Sequence, residues 1–67
     1  MRLSRNGADH EVPDGTTVAD LVAELAPSGN RGIAVAVNGA VVPRSQWPAA
    51  TLADGDAVEV LTAVQGG

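Results

Sequence analysis

The chain has 67 residues, a formal net charge of −4 and no cysteine, so we expect one small domain without disulfides or a cysteine-ligated zinc site. Eight acidic residues against four arginines disfavour nucleic acid as a partner, because phosphate backbones call for a basic surface. The apolar runs are far shorter than the ~20 residues that span a bilayer, and no signal peptide is visible. We therefore expect a cytoplasmic protein that is monomeric when free and does not bind membranes.

A β-hairpin is predicted at the N-terminus. Residues Met1–Arg5 and Ala8–Val12 flank Asn6-Gly7, a dipeptide that supplies the positive φ of a two-residue turn. Arg5 falls on the inward-facing side of the first strand, so we expect that strand end to be exposed.

One helix is predicted after the turn at Pro13–Gly15. Four apolar residues lie on one helical face at i, i+3, i+4 and i+7, namely Val18, Leu21, Val22 and Leu25. Thr17 can cap the first free N–H groups, and Ala26-Pro27 ends a helix of about ten residues. Such a helix is too short to be stable alone and must pack on a sheet.

Three further strands follow, separated by turn signals. The predicted strands are 33–37, 40–42 and 57–62, with turns at Asn38-Gly39 and 53–56. Between them, 44–48 is expected to be irregular or a single helical turn, with Trp47 closing one edge of the core.

The resulting order is β-β-α-β-β-β, which predicts an α+β layer structure. It describes a β-grasp (ubiquitin-like) fold with a mixed four- to five-stranded sheet and the helix across one face. The first and last strands would then be neighbours in the middle of the sheet. We predict a β-grasp domain over residues 1–62 and a flexible C-terminal tail over residues 63–67.

No catalytic or metal site is predicted within the chain. His10 is the one histidine and has no second His or Cys to complete a metal site, so a solvated hairpin residue is favoured. Asp14, Asp54 and Asp56 lack the spacing of a calcium loop and are interpreted as turn formers.

Leu61, Ala34 and Ala36 are expected to point to the outer side of the sheet, away from the helix. Two interpretations stay open. Single exposed apolar residues are normal on protein surfaces, whereas three on adjacent central strands could form a docking patch for a partner.

The tail ends in Gln65-Gly66-Gly67. Two residues without Cβ let the backbone enter a narrow slot, and five extended residues reach roughly 17 Å. The terminal carboxylate, with an ordinary pKa of about 3.5, is ionised at neutral pH and can attack the α-phosphate of ATP. A frayed terminus would explain mobility, but not why both final residues are glycine.

Several segments together resemble the ThiS family of prokaryotic sulfur carriers. They are 12–18 (VPDGTTV), 35–39 (VAVNG), 42–45 with Trp47 (VPRS), 52–56 (LADGD) and the closing AVQGG. Each segment is weak alone, but their order, spacing and terminal Gly66-Gly67 make the resemblance specific. Arg5, where an aliphatic residue is usual, and a slightly longer loop over 27–31 depart from the pattern.

The resemblance implies a carrier without catalytic residues or a bound cofactor of its own. A ThiF-like enzyme, using ATP and magnesium, would adenylate Gly67, with Gly66 and Gln65 forming the approach. Sulfur supplied through a cysteine desulfurase would convert Gly67 into a thiocarboxylate. A ThiG-like thiazole synthase would then receive the sulfur for thiamine.

Three alternatives remain. A molybdopterin-synthase small subunit uses the same kind of tail, although such subunits tend to be longer. A ubiquitin-like protein modifier would end as an amide on a target lysine. A TGS-type interaction domain has a similar helix entry but needs no free Gly-Gly end.

Overall fold

A computed structural model of the chain describes residues 1–27, 29 and 31–62. Within these ranges it contains a five-stranded sheet, one α-helix and one 3₁₀ helix. In chain order the elements are β1 (Arg2–Arg5), β2 (Ala8–Glu11), α1 (Val18–Leu25), β3 (Ile33–Val37), β4 (Ala40–Val42), the 3₁₀ helix (Arg44–Ala49) and β5 (Ala57–Thr62).

The strand order across the sheet is β2-β1-β5-β3-β4. β1 and β5 run parallel as central neighbours, and the other three pairings are antiparallel. This order confirms the predicted β-grasp fold, with five strands. The described part of the predicted domain ends with β5 at Thr62, whereas the predicted tail, 63–67, lies outside the described residues.

The helix begins and ends where its local signals predict. The Thr17 hydroxyl accepts from the Asp20 N–H at 3.1 Å, and the Asp20 carboxylate accepts from the Thr17 N–H at 3.0 Å. This reciprocal capping box satisfies two N–H groups that have no partner inside the helix. The helix stops at Leu25, ahead of Pro27, and its eight residues are slightly fewer than the ten expected.

The core lies between α1 and the sheet. Its buried members in the described residues are Leu3, Val18, Leu21, Val22, Val35, Trp47, Leu52 and Val58. Trp47 is 3% exposed and donates its indole N–H to the Val42 carbonyl at 2.9 Å. The buried indole closes the β4 edge of the core, as predicted. It can be buried there because its N–H group has a hydrogen-bond partner.

Arg5 differs from expectation, because it is half-buried rather than exposed. It is paired with Ala8 on β2 and with Val58 on β5. A residue with a strand on both sides loses solvent contact along its stem, even though its charged end can still reach water.

The α-amino group of Met1 is tied to β2 and to the turn that follows it. It donates to the Val12 carbonyl at 2.9 Å and to Asp14 Oδ1 at 3.2 Å, and Glu11 Oε2 lies 3.5 Å away. The hydrogen bond to Asp14 is the largest cause that raises the pKa of this amino group above its ordinary value. The folded state therefore favours the protonated form.

We predict that the free energy of unfolding of the 67-residue chain decreases as the pH rises above 8.0. A raised pKa in the folded state contributes stability below the unfolded pKa and loses it as pH rises through the folded value. The chain has no lysine, tyrosine or cysteine, which are the side-chain types whose ordinary pKa values lie between about 8.5 and 10.4. Urea unfolding across this range tests the prediction. Asp14→Asn should flatten the dependence, and a flat profile for the unmodified chain would contradict it.

Candidate functional site: the outer sheet face and the end of β5

The side of the sheet opposite α1 carries an apolar patch. Strand register places Ala34 beside Leu61 and Ala36 beside Val41, and cross-strand partners share a face. Leu61 is 66% exposed and Val41 is 74% exposed. We call the four residues Ala34, Ala36, Val41 and Leu61 the outer patch.

The structure brings together the three residues expected on this face and adds a fourth. Ala34, Ala36 and Leu61 lie on adjacent strands as predicted, although Ala36 is half-buried. Val41 was missed by the sequence reasoning. The Asn38-Gly39 turn contained the signal, since a two-residue hairpin sets Val41 opposite Ala36. Docking by these residues stays a prediction.

One charged residue lies within the apolar rows. Glu59 is exposed, is paired with Ala36 on β3, and precedes Leu61 by two residues on the same face of β5. Further across the sheet, Arg2 and Glu11 form an exposed ion pair at 3.3 Å, which contributes little to stability. Glu59 is therefore the charge nearest the middle of the outer patch.

The end of β5 is the point where the predicted carrier tail begins. Thr62 is the last described residue, paired with Ile33 on β3, and Leu61 immediately precedes it. Gly67, Gly66 and Gln65 lie outside the described residues. The outer patch thus extends to the root of the tail, so one partner could contact both.

The turn aspartates have structural partners, as their interpretation predicts. Asp54 accepts from the Arg2 N–H at 2.7 Å, and Asp56 accepts from the Ala53 N–H at 2.7 Å. Asp14 accepts from the α-amino group of Met1. His10 is half-buried opposite Leu3 on β1. In the part of the chain that the structure describes, no three His, Cys, Asp or Glu side chains are grouped as a metal site.

A surface groove beside the start of α1 is acidic. It has a volume of about 290 Å³, and its lining includes the carboxylates of Asp14, Asp20 and Glu24. Asp20 is already engaged in the capping box, and Asp14 holds the Met1 amino group. Three carboxylates around one groove repel the negatively charged phosphates of a nucleotide, so the groove is not suited to binding ATP.

No helix in residues 1–27, 29 and 31–62 is both long and apolar enough to cross a membrane. Strand order, the packed helix and the outer patch define a class: a small ubiquitin-like β-grasp protein with an exposed apolar face beside the end of its central strand.

The ThiS family model matches residues 2–67, so the chain belongs to the ThiS family. The crystal structure of the thiamine biosynthesis protein ThiS from Geobacter metallireducens superimposes with a TM-score of 0.83 at 35% identity, covering 100% of both chains. The NMR solution structure of a thiamine biosynthesis protein from the same organism gives a TM-score of 0.81 at 35% identity, covering 100% of this chain and 88% of that one. No curated protein matches the sequence significantly.

Family membership also shows whether the chain is itself an enzyme. ThiS proteins are small sulfur carriers of thiamine biosynthesis and are not themselves enzymes, so this chain is a carrier on which partner enzymes act.

Proposed function

We propose that the chain carries sulfur as a thiocarboxylate on Gly67 and delivers it to thiazole synthesis for thiamine. The supporting observation is the ThiS family match, which runs through the closing Gly66-Gly67. The position of β5 agrees with it, because the last described residue, Thr62, lies at the end of a central strand.

The first chemical step is adenylation on a ThiF-like partner. A carboxylate oxygen of Gly67 attacks the α-phosphate of ATP, an acyl–phosphate bond forms, and pyrophosphate leaves. The partner's site supplies the magnesium for this step. The carboxylate is ionised at neutral pH and is therefore a nucleophile without a general base. Glycines at the last two positions present no Cβ to the walls of a narrow channel.

The second step exchanges oxygen for sulfur. The terminal sulfur of a persulfide, formed from cysteine by a desulfurase, attacks the acyl carbon and AMP leaves. A second thiol on the sulfur-delivering partner then attacks the resulting acyl disulfide, so that the acyl–sulfur bond is kept and the two partner sulfurs end as a disulfide. The product is the thiocarboxylate, which a ThiG-like thiazole synthase consumes. ATP on the partner supplies the driving force. The acidic groove beside α1 agrees with this division of labour, because its carboxylates disfavour nucleotide phosphate on the carrier.

Docking on the partners is assigned to the outer patch. Leu61 and Val41 leave large apolar side chains exposed, and burying such a side chain stabilises a complex by about 1.5–3 kcal/mol. Glu59 adds a charge at the same place, so the partner surface should be apolar with a basic group facing Glu59.

We predict that incubation with a ThiF-like enzyme, ATP, magnesium and a sulfur donor shifts the mass of the intact chain by one oxygen-to-sulfur exchange. Intact mass spectrometry measures the shift, and the same mixture without ATP is the control. Recovery of only unmodified chain, with partners shown to be active on another carrier, would contradict the proposal. An amide-linked conjugate would instead support the protein-modifier alternative. Sulfur transfer to a molybdopterin precursor would support the molybdopterin-synthase alternative.

A further inference from the structure

The central strand β5 extends past the end of its parallel neighbour. β1 ends at Arg5, which is paired with Val58, whereas β5 continues to Thr62. At Asn6 and Gly7 the chain turns away into β2, with φ values of 51° and 85°. Val60 therefore lies beyond the last paired residue of β1, close to the root of the tail.

The side chain of Asn6 takes the place of the missing strand. Its Oδ1 accepts from the Val60 N–H at 2.8 Å, and its Nδ2 donates to the Val60 carbonyl at 3.3 Å. The backbone N–H of Asn6 donates to the Val58 carbonyl at 2.9 Å. The side-chain bonds to Val60 therefore continue the hydrogen-bond ladder between β1 and β5. A carboxamide offers the same donor and acceptor as a peptide unit, which explains how it can extend β1 by one position.

We propose that Asn6 is a positioning residue for the carrier reaction. Its carboxamide holds β5 at Val60, two residues before the last described residue, and so fixes the end of the strand that the carrier tail follows in the chain. The inference rests on the proposed function of Gly67. A tail with a fixed root spends more time with its carboxylate in line with the bound nucleotide, and reaction rates depend steeply on such alignment.

A purely structural role for Asn6 is the competing explanation, and the chain contains its own control. Asn38 has nearly the same backbone, with φ of 52° and a following Gly39 at 84°. Its Oδ1 accepts from the Ala57 N–H, and its Nδ2 donates to Asp56 Oδ1, both at 2.9 Å. Asn38 therefore makes two similar bonds at the opposite end of β5, away from the tail.

The test compares Asn6→Gly with Asn38→Gly. Glycine tolerates the positive φ at both positions, so each variant loses its two side-chain bonds while the turn is kept. Amide hydrogen exchange at Val60 should become about tenfold faster in Asn6→Gly and stay unchanged in Asn38→Gly. In steady-state adenylation by the ThiF-like enzyme, kcat should fall severalfold for Asn6→Gly with KM little changed. Asn38→Gly should retain the wild-type values.

Asn6→Asp provides a second variant that also accepts positive φ. It keeps the acceptor for the Val60 N–H but replaces the donor to the Val60 carbonyl, so its kcat should lie between those of the wild type and Asn6→Gly. Equal kinetics for Asn6→Gly and Asn38→Gly, or unchanged exchange at Val60, would overturn the inference. A wild-type chain that is never adenylated would contradict the proposed function instead, and the exchange data would still decide whether Asn6 holds the strand end.

Discussion

Removal of Gly67 is expected to lower the rate of adenylation by at least about a hundredfold. The shortened chain still ends in a glycine carboxylate, but that group lies about 3.5 Å short of its former reach. Misplacement of a reacting group by only about 1 Å can cost roughly a hundredfold in rate. Single-turnover formation of the acyl-adenylate, followed as pyrophosphate release with a ThiF-like enzyme, measures the effect.

Gly67→Ala is the matched variant for this deletion. It keeps the length of the chain and its terminal carboxylate but adds one Cβ. Comparing it with the deletion therefore distinguishes the effect of a shorter tail from the effect of a side chain too wide for the partner's channel. The fold should be unaffected in both variants, since the described core ends within β5, and thermal unfolding will check this. A shortened chain that is adenylated within a fewfold of the normal rate would contradict the role of Gly67.

Leu61→Arg is expected to weaken binding to a ThiF-like partner by between about tenfold and a hundredfold. The estimate equals the loss of one buried leucine, about 1.5–3 kcal/mol, converted at about 1.4 kcal/mol per tenfold. Arginine also places a positive charge beside Glu59. This charge would weaken the attraction between Glu59 and a basic group on the partner. The dissociation constant can be measured by calorimetric titration.

The control for this variant is Leu25→Arg. Leu25 is 38% exposed at the end of α1, on the opposite side of the sheet, so it receives the same substitution outside the outer patch. Exposed substitutions of this kind change stability little, and both variants should remain folded. Equal affinities for Leu61→Arg and the unmodified chain would remove the outer patch from the proposal. Equal losses for both leucine variants would do the same.

Local signals predicted most of the fold. The apolar spacing from Val18 to Leu25 and the capping threonine determined α1, and Asn-Gly dipeptides determined the two hairpins. These features depend on residues close together in the chain. Arg5 was the exception, because its burial depends on Val58, a neighbour 53 positions away.

The candidate site divides in a similar way. Gly66-Gly67 and the outward positions of Ala34, Ala36 and Leu61 follow from the order of residues and the two-residue period of a strand. The Asn38-Gly39 turn sets Val41 opposite Ala36, but its place on the same face as Leu61 depends on the pairing of β3 with β5, which are distant in the chain. The bonds of Asn6 gave no signal beyond that of a turn residue.

By itself, the sequence of this protein determined the element order, the family resemblance and the closing glycine pair, of which Gly67 is proposed to accept sulfur, since each is encoded in short segments. Only the tertiary structure decided that Val41 joins Leu61 on one face, and that the carboxamide of Asn6 bonds to Val60. The physical reason is that register between distant strands depends on the packing of the whole sheet against α1, which no short segment specifies.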